Sequence, residues 1–135
     1  MSDYVFVYGR LRKDYPYEKF VNPVLLGKYI GEGSVNGRLY LNEMEVLAVE
    51  CANPMLNIFG DIYLTEQLPE LLAEMDKILI YNKDNDRESL FNRKLANIEC
   101  FGKTYSCWVY FYKHDVSKFE AIPSGDYLEH IKTDF

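Results

Sequence analysis

The hydrophobic and polar positions along the chain predict a protein built mainly from β-strands. Runs rich in Val, Ile, Phe and Tyr recur between turn residues, and several of them alternate with polar residues, which is typical of strands. The predicted strands are Tyr4–Tyr8, Ser34–Leu41, Val46–Val49, Asn57–Leu64, Phe91–Cys100 and Lys103–Tyr112. The first run is apolar throughout, which indicates burial on both faces, and Phe101-Gly102 predicts a hairpin between the last two strands.

One segment has the spacing of an amphipathic helix. Between Glu66 and about Ile80, hydrophobic residues recur on one helical face. They are Leu68, Leu71, Leu72, Met75, Ile78 and Leu79. We expect Thr65 to cap this helix, and Glu70 lies where the helix dipole favours a negative charge.

The segment before the second strand is expected to be irregular. Residues 10–33 contain several prolines and glycines and predict a loop with a short helix around Tyr17–Val21. The glycines between Gly27 and Gly33 are expected in turns. They do not indicate a phosphate-binding loop, because no Gly-Lys-Ser or Gly-Lys-Thr follows and Glu32 would repel a phosphate.

Together these elements predict a single domain, residues 1–135, of the α/β (α+β) class. The expected architecture is a small mixed β-barrel with inserted helices. A length of 135 residues and a hydrophobic content of 48% are ordinary for one globular domain, and no repeat or linker divides the chain. No apolar run approaches the roughly 20 residues of a membrane-spanning helix.

The charge of the chain argues against nucleic acids and anionic membranes as partners. Lys and Arg number 15 against 21 Asp and Glu, which gives a net charge of −6. The one tight basic run, Arg10, Arg12 and Lys13, indicates either a solvated loop or a site for an anion. The acidic start Met1-Ser2-Asp3 lacks the basic region of a signal peptide.

The cysteines indicate a reduced compartment. Cys51, Cys100 and Cys107 are odd in number and match no metal-binding spacing, and His114 and His130 lie apart in the sequence. We therefore expect buried free thiols and surface histidines in a cytoplasmic protein that holds no metal and no cofactor.

Tyrosine is unusually frequent, with 12 Tyr and 8 Phe against one Trp. Its ring and hydroxyl suit both a sheet face and the wall of a polar pocket. Packing within strands is expected for Tyr4, Tyr63, Tyr105, Tyr110 and Tyr112. Tyr8 instead ends the first strand, where Gly9, Arg10 and Leu11 follow. This glycine either simply terminates the strand or exposes backbone amides that can bind a carboxylate.

Six stretches, distributed over nearly the whole chain, share the pattern of one family. They are VFVYGRLR at 5–12, FGDIY at 59–63, LLAEMD at 71–76, SLFNR at 89–93, CWVYFY at 107–112 and IPSGDY at 122–127. In this order they resemble the VFVYGSLR, VxGELY, LLxxLD, SLYRR, AWVYVY and IPSGDW motifs of the γ-glutamylcyclotransferase-like superfamily, which includes the AIG2-like proteins.

The resemblance implies a small mixed α/β barrel with a cavity for a small γ-glutamyl-type ligand. Enzymes of this family cyclise γ-glutamyl amines or peptides: the α-amino nitrogen attacks the γ-carbonyl carbon, the amine leaves, and 5-oxoproline is released. On the matching positions, the expected substrate-binding residues are Tyr8, Gly9, Arg10, Leu11, Phe91 and Tyr127. Tyr127 lies in the terminal motif, which is expected to close over the site.

Three positions depart from the family pattern. The family's proton-carrying glutamate, three residues beyond the Asp of its L-D-x-x-E motif, corresponds to Leu79. Arg10 replaces a Ser or Thr, and Phe91 replaces a Tyr. Arg10 is expected to bind a substrate carboxylate through its guanidinium group.

Asp76 lies one helical turn before Leu79 and is the candidate catalytic residue. The alternative for Asp76 is a structural or surface carboxylate. Glu74 and Glu88 are nearby in sequence, but we expect them to face solvent. The resemblance therefore implies either a γ-glutamylcyclotransferase with an altered proton carrier or, as the alternative, a catalytically inactive family member. The inactive member would act as a small-molecule sensor or as an interaction module.

Overall fold

The computed structural model describes residues 3–17, 21–43, 45–82, 84–85 and 87–132. Its strands are Tyr4–Val7 (β1), Lys28–Asn36 (β2), Arg38–Asn42 (β3), Glu45–Val49 (β4), Asn57–Leu64 (β5), Phe91–Cys100 (β6), Lys103–Tyr112 (β7) and Glu120–Ile122 (β8). Its α-helices are Pro23–Leu26 (α1), Leu68–Ile78 (α2) and Tyr127–Lys132 (α3), and Gly9–Leu11 forms a 3₁₀ turn. Over these residues, none of the helices has the length and apolar character needed to cross a lipid bilayer.

Five strands form a closed barrel in the order β1-β5-β2-β6-β7. The barrel closes because β7 pairs with β1, and Tyr4 lies opposite Cys107 in this pair. β1 and β7 are parallel, whereas β1 and β5 are antiparallel. β6 and β7 pair from Phe91 opposite Tyr112 to Cys100 opposite Lys103, which confirms the predicted hairpin. The other three strands described form a second sheet in the order β4-β3-β8. The predicted α+β class with a small barrel is confirmed.

Strand β1 lies between two hydrophobic cores. Alternate side chains of a strand point to opposite faces, and Val5, Phe6 and Val7 are each 1% exposed. Phe6 belongs to the same core as Ile62 of β5, whereas Val5 and Val7 belong to the core that contains Leu71 of α2. Burial of each of these side chains stabilises the fold by about 1.5–3 kcal/mol relative to leaving it exposed. The sequence prediction of a strand buried on both faces is confirmed.

The predicted strand Ser34–Leu41 is in fact two strands. β2 belongs to the barrel and β3 to the three-stranded sheet, and Gly37 lies between them. A Cβ atom at Gly37 would lie 2.5 Å from Cδ1 of Ile58, so the chain changes sheets at a point where no side chain fits. The change of sheet depends on this packing, which local sequence does not show.

The prediction of turns throughout Gly27–Gly33 was wrong for two of its glycines. β2 begins at Lys28, so Gly31 and Gly33 lie inside a strand. A Cβ atom at Gly33 would lie 2.7 Å from Cγ2 of Ile98 on β6. The glycine is therefore explained by the close approach of a neighbouring strand and not by a turn.

Helix α2 is shorter than predicted and is not capped as predicted. It begins at Leu68, and its N-terminal cap position is Gln67. The hydroxyl of Thr65 accepts a hydrogen bond from the Gln67 N–H at 3.0 Å and donates to the Leu25 carbonyl at 2.7 Å. Thr65 thus ties the chain that enters α2 to helix α1.

The short elements were predicted poorly. Of the helix expected around Tyr17–Val21, residues 18–20 lie outside the described residues, and the helix found is α1, which follows them. Asn22 caps α1, because its Oδ1 accepts from the Val24 N–H at 3.0 Å, and a proline occupies the first turn. Neither β8 nor α3 was predicted, since both are too short to show a clear period.

The three cysteines are free, and two of them are buried as expected. Cys100 and Cys107 are 4% and 0% exposed. Cys51 is only half-buried, so the expectation of burial was wrong for this residue.

Candidate functional site

A cavity of about 250 Å³ lies beside the 3₁₀ turn. Its walls come from β1 and the turn, from the start of β4, from the C-terminal end of α2, and from β6 and β7. The lining residues are Phe6, Val7, Tyr8, Arg10, Leu11, Glu45, Val46, Leu47, Met75, Ile78, Leu79, Ile80, Leu90, Phe91 and Tyr110. Four predicted binding residues therefore line one cavity: Tyr8, Arg10, Leu11 and Phe91.

Gly9 makes the turn that brings Tyr8 and Arg10 to the cavity. Its φ is +64°, a left-handed conformation that glycine adopts without strain. A Cβ atom here would also lie 2.8 Å from Cβ of Val46 on β4. Glycine therefore lets the turn pack directly against a second wall of the cavity, although Gly9 itself is not one of the lining residues.

The backbone amides of this turn are less available than the sequence suggested. The Leu11 N–H donates to the Tyr8 carbonyl at 3.4 Å, and the Arg12 N–H donates to the Gly9 carbonyl at 3.3 Å. The 3₁₀ turn therefore uses these two amides itself. A carboxylate held by the Leu11 amide, one of the two alternatives that the sequence left open, would compete with this internal bond.

Arg10 places a guanidinium group at the cavity. Its side chain is half-buried and lines the cavity wall, so it does not face solvent alone. Nε of Arg10 donates to the hydroxyl of Tyr15 at 3.3 Å, and the guanidinium carbon lies 5.9 Å from the centre of the Tyr15 ring. Tyr15 thus holds the guanidinium group in place through both contacts.

Tyr127 does not line the cavity. It is buried in α3, and its ring centre lies 6.1 Å from that of Tyr15. Its influence on the site is therefore indirect, through the aromatic ring that supports Arg10. The expectation that the terminal motif closes over the cavity is not met by the position of this side chain.

Leu79 and Phe91 line the cavity at the positions where the resemblance expects a glutamate and a tyrosine. Leu79 follows directly on α2, and its N–H donates to the Met75 carbonyl at 2.8 Å. Neither Leu79 nor Phe91 offers a carboxylate or a hydroxyl to this part of the wall. Both present an apolar surface instead.

Asp76 is held in an ion pair and is hydrogen-bonded to a residue of the cavity lining. Its Oδ2 lies 2.7 Å from Nη1 of Arg93, and its Oδ1 accepts a hydrogen bond of 2.5 Å from the Tyr110 hydroxyl. Asp76 itself is not among the lining residues, whereas Tyr110 is. The candidate catalytic carboxylate is thus linked to the cavity lining by its hydrogen bond to this tyrosine.

Both tyrosines in the wall remain protonated. Burial, followed by the hydrogen bond to Asp76, raises the pKa of Tyr110 far above its ordinary value. Burial likewise raises the pKa of Tyr8, whose hydroxyl donates to the Tyr110 carbonyl at 2.5 Å. These phenols can donate hydrogen bonds at neutral pH, but they are poor proton acceptors.

Glu45 is a site residue that the sequence did not reveal. It begins β4, it is exposed, and it is the one carboxylate among the described residues that line the cavity. No motif marks it. The only local signal is an acidic residue directly before the apolar run Val46–Val49, and its position at the cavity follows from the packing of β4 against the 3₁₀ turn.

The other candidate acids and bases lie away from the cavity. Glu74 and Glu88 are exposed, as expected, and neither lines the wall. His114 is exposed with Nε2 3.0 Å from the Ser89 carbonyl, and His130 is half-buried on α3. Across the described ranges, no group of three or more His, Cys, Asp or Glu side chains is arranged to hold a metal ion.

Arg12, the last residue of the VFVYGRLR stretch, anchors the chain after the turn. It is 3% exposed, and its guanidinium group pairs with Glu32 at 2.7 Å, Asp126 at 3.0 Å and Asp61 at 3.3 Å. Burial, the largest single influence, would lower the pKa of Arg12, but the carboxylates of Asp61, Glu32 and Asp126 together outweigh it and the pKa is raised. Asp61 also accepts from the Lys13 N–H at 2.8 Å. The 3₁₀ turn is thereby fixed to β2, β5 and the start of α3.

Comparison with known sequences gives one family. The family model described as "Gamma-glutamyl cyclotransferase, AIG2-like" matches residues 5–129. A comparison with curated protein sequences gives no match.

Solved structures share the fold over most or all of the chain. YkqA from Bacillus subtilis has a TM-score of 0.67 and 21% identity, covering 100% of this chain but 44% of its own length. The protein ytfP from Escherichia coli has a TM-score of 0.61 and 25% identity over 95% of this chain and 98% of its own. An AIG2-like protein from Mus musculus has a TM-score of 0.63 and 18% identity over 87% of this chain and 81% of its own. This chain thus spans less than half of YkqA.

Proposed function

The chain belongs to the AIG2-like gamma-glutamyl cyclotransferase family, and from this premise we propose that its cavity binds a small γ-glutamyl-type ligand and cyclises it to 5-oxoproline. The proposed substrates are γ-glutamyl amines or peptides. The observation that carries the proposal is that Arg10 and Glu45, side chains of opposite charge, line the same cavity.

Arg10 is the proposed partner of the ligand's α-carboxylate. A guanidinium group can donate two parallel hydrogen bonds to a carboxylate, and such charge-assisted bonds contribute about 1.5–3 kcal/mol. The contacts to Tyr15 hold the side chain before a ligand arrives, which reduces the entropy lost on binding. A cavity of about 250 Å³ suits a small ligand.

Glu45 is the proposed proton carrier. In the cyclisation, the neutral α-amino nitrogen attacks the γ-carbonyl carbon, a new C–N bond closes the five-membered ring, and the bond to the leaving nitrogen breaks. One proton moves from the attacking nitrogen to Glu45 and then to the leaving nitrogen, so the carboxylate is regenerated. No further reactant is needed. General acid–base catalysis of this kind contributes about 10²–10⁴-fold in rate.

A second candidate function is binding without turnover, as in a small-molecule sensor. Two observations favour it: Leu79 cannot transfer a proton, and the carboxylate of Asp76 is engaged by Arg93 and Tyr110. In this case Arg10 would still hold the ligand, and Glu45 would pair with the ligand's ammonium group.

Calorimetry with γ-glutamyl butylamide, together with an assay for released 5-oxoproline, separates the candidates. Binding with release supports cyclisation, and binding without release supports the sensor. Arg10→Gln should weaken binding by about 10- to 150-fold, whereas the matched control Lys28→Gln, an exposed basic residue outside the cavity lining, should not. If neither the wild type nor the control binds, both candidates are overturned.

A further inference from the structure

We infer that the γ-amide nitrogen of the ligand carries an apolar alkyl or aryl group, and that this group packs on one wall of the cavity. The wall, called here the apolar wall, consists of Met75, Ile78, Leu79, Ile80 and Leu90. The inference rests on the proposed function, because it identifies the class of amine that the reaction would release.

The lining separates into a polar part and a large apolar part. Of the lining side chains, Tyr8, Arg10, Glu45 and Tyr110 are polar, and the rest are hydrophobic. The polar four come from β1 with its turn, β4 and β7, whereas the apolar wall comes from the end of α2 and the approach to β6. When a ligand places its charged γ-glutamyl head on Arg10 and Glu45, the surface left for its other end is mostly hydrophobic, and Tyr8 and Tyr110 are the polar side chains that remain in the lining.

Two side chains of the apolar wall are exposed although they are large and hydrophobic. Ile78 is 37% exposed and Ile80 is 50% exposed. Each lines the cavity at the same time. When an apolar group covers side chains that line a cavity and also face solvent, apolar surface is removed from water and the free energy of the system falls.

The backbone of Ile80 suits an asparagine better than an isoleucine. Its φ is +48°, a conformation that costs a β-branched residue about 1–3 kcal/mol and that Asn or Gly adopts more easily. In the free protein, half of this side chain remains in solvent, so burial does not offset the cost. The end of α2 fixes this conformation, because the Tyr81 N–H donates to the Asp76 carbonyl at 2.9 Å.

A charged group is a poor occupant of this wall. Asp76, the carboxylate nearest to the wall along α2, is already paired with Arg93 and Tyr110. An ammonium or carboxylate packed against these side chains would lose part of its hydration and gain no charged partner from the wall, which is unfavourable. The preferred amines are therefore alkyl or aryl amines, and amines that end in a charge are disfavoured.

The test compares the affinities of γ-glutamyl ethylamide, butylamide and hexylamide with that of the 4-aminobutyl amide, which ends in a cation. Calorimetry on the Glu45→Gln variant avoids consumption of the ligand. We expect affinity to rise about fourfold for each CH₂ added between ethyl and butyl, and we expect the aminobutyl amide to bind at least tenfold more weakly than the butyl amide. A flat series, or equal affinity of the two four-carbon amides, overturns the inference.

Two variants locate the effect. Ile80→Asn removes the hydrophobic side chain while suiting the left-handed backbone, so the variant should fold at least as well as the parent. It should lose most of the dependence on chain length. Leu95→Asn, a change at an exposed leucine of β6 outside the cavity lining, is the matched control and should keep it. If the two variants behave alike, the apolar wall is not the site.

Failure of this inference is distinguishable from failure of the proposed function. If the ethyl amide binds and Arg10→Gln weakens it, but chain length has no effect, only the inference is overturned. If no γ-glutamyl amide binds to the wild type or to Glu45→Gln, both are overturned.

Discussion

Leu79 and Glu45 line the same cavity, one directly after helix α2 and the other at the start of strand β4. The family resemblance expects the proton-carrying carboxylate at the position of Leu79. In this chain the cavity has its carboxylate on a different element. The site therefore keeps one acidic group, and the proposed reaction depends on whether the new position can serve the same proton transfer.

Leu79→Glu tests whether the cavity still accommodates a carboxylate at the family's position. Introduced into the Glu45→Gln variant, it should restore 5-oxoproline release by about 10²–10⁴-fold, the usual contribution of a general acid–base. Leu79→Gln in the same background has nearly the same shape but cannot accept the proton, and it should remain inactive. Equal rates in the two double variants would contradict the account.

Arg12→Met should destabilise the fold, because it leaves the buried carboxylate of Asp61 without its charged partner. Asp61 is 3% exposed. Removal of one member of a buried ion pair typically costs about 3–5 kcal/mol, measurable by urea unfolding.

Adding Asp61→Asn to Arg12→Met removes the uncompensated charge and keeps an acceptor for the Lys13 N–H. The double variant should therefore recover a large part of the lost stability. If Arg12→Met lowers the free energy of unfolding by less than about 1 kcal/mol, well below the usual cost of breaking a buried ion pair, then Arg12 and its carboxylate partners are not a structural anchor.

The fold should lose stability in alkaline solution. Burial raises the pKa of Tyr63 to about 12, and burial also raises those of Tyr8 and Tyr110. Above the ordinary tyrosine pKa of about 10, the unfolded chain releases phenolic protons that the folded chain keeps. The unfolded state then binds fewer protons, so the free energy of unfolding falls as the pH rises through this range.

Urea midpoints between pH 8 and pH 11 measure this slope. Tyr63→Phe should flatten it. Tyr17→Phe serves as the control because that ring is 55% exposed, and it should leave the slope unchanged. A stability that is constant up to pH 11 would contradict the prediction.

The thiols should react in the order of their accessibility. Cys51 is half-buried, whereas Cys107 is fully buried and burial raises its pKa to about 12. Since the thiolate is the reactive form, iodoacetamide at pH 8 should modify Cys51 first and Cys107 only after unfolding. Mass spectrometry of the intact protein identifies the order. Simultaneous modification of both residues in the folded state would contradict the structure.

The elements that the sequence predicted well are those with a clear local period. The strands β5, β6 and β7 alternate or are continuously apolar over many residues, and α2 repeats its apolar face, so local pattern suffices. Only the end of β2 was predicted, because Gly31 and Gly33 indicate turns when neighbouring strands are unknown. Only the packed barrel shows that Ile98 occupies the space beside Gly33.

The site was predicted only where residues adjacent in sequence form it. Tyr8, Arg10 and Leu11 follow one another along the chain, and the resemblance identified the positions of Leu79 and Phe91. Glu45 was missed because its approach to the cavity depends on contacts of β4 with the distant turn at Gly9. Tyr127 was expected at the cavity, but its ring packs near Tyr15 and does not line the wall. The terminal motif IPSGDY gives no sign of this contact, because Tyr15 is distant in the sequence.

The most direct test of the central claim is the rate of 5-oxoproline release from γ-glutamyl butylamide by the wild type and by Glu45→Gln. If Glu45 transfers the proton, the variant loses at least about 100-fold in kcat while it still binds the ligand. The control Glu74→Gln, at an exposed position outside the cavity lining, keeps the wild-type rate. Release at the wild-type rate by Glu45→Gln would contradict the account.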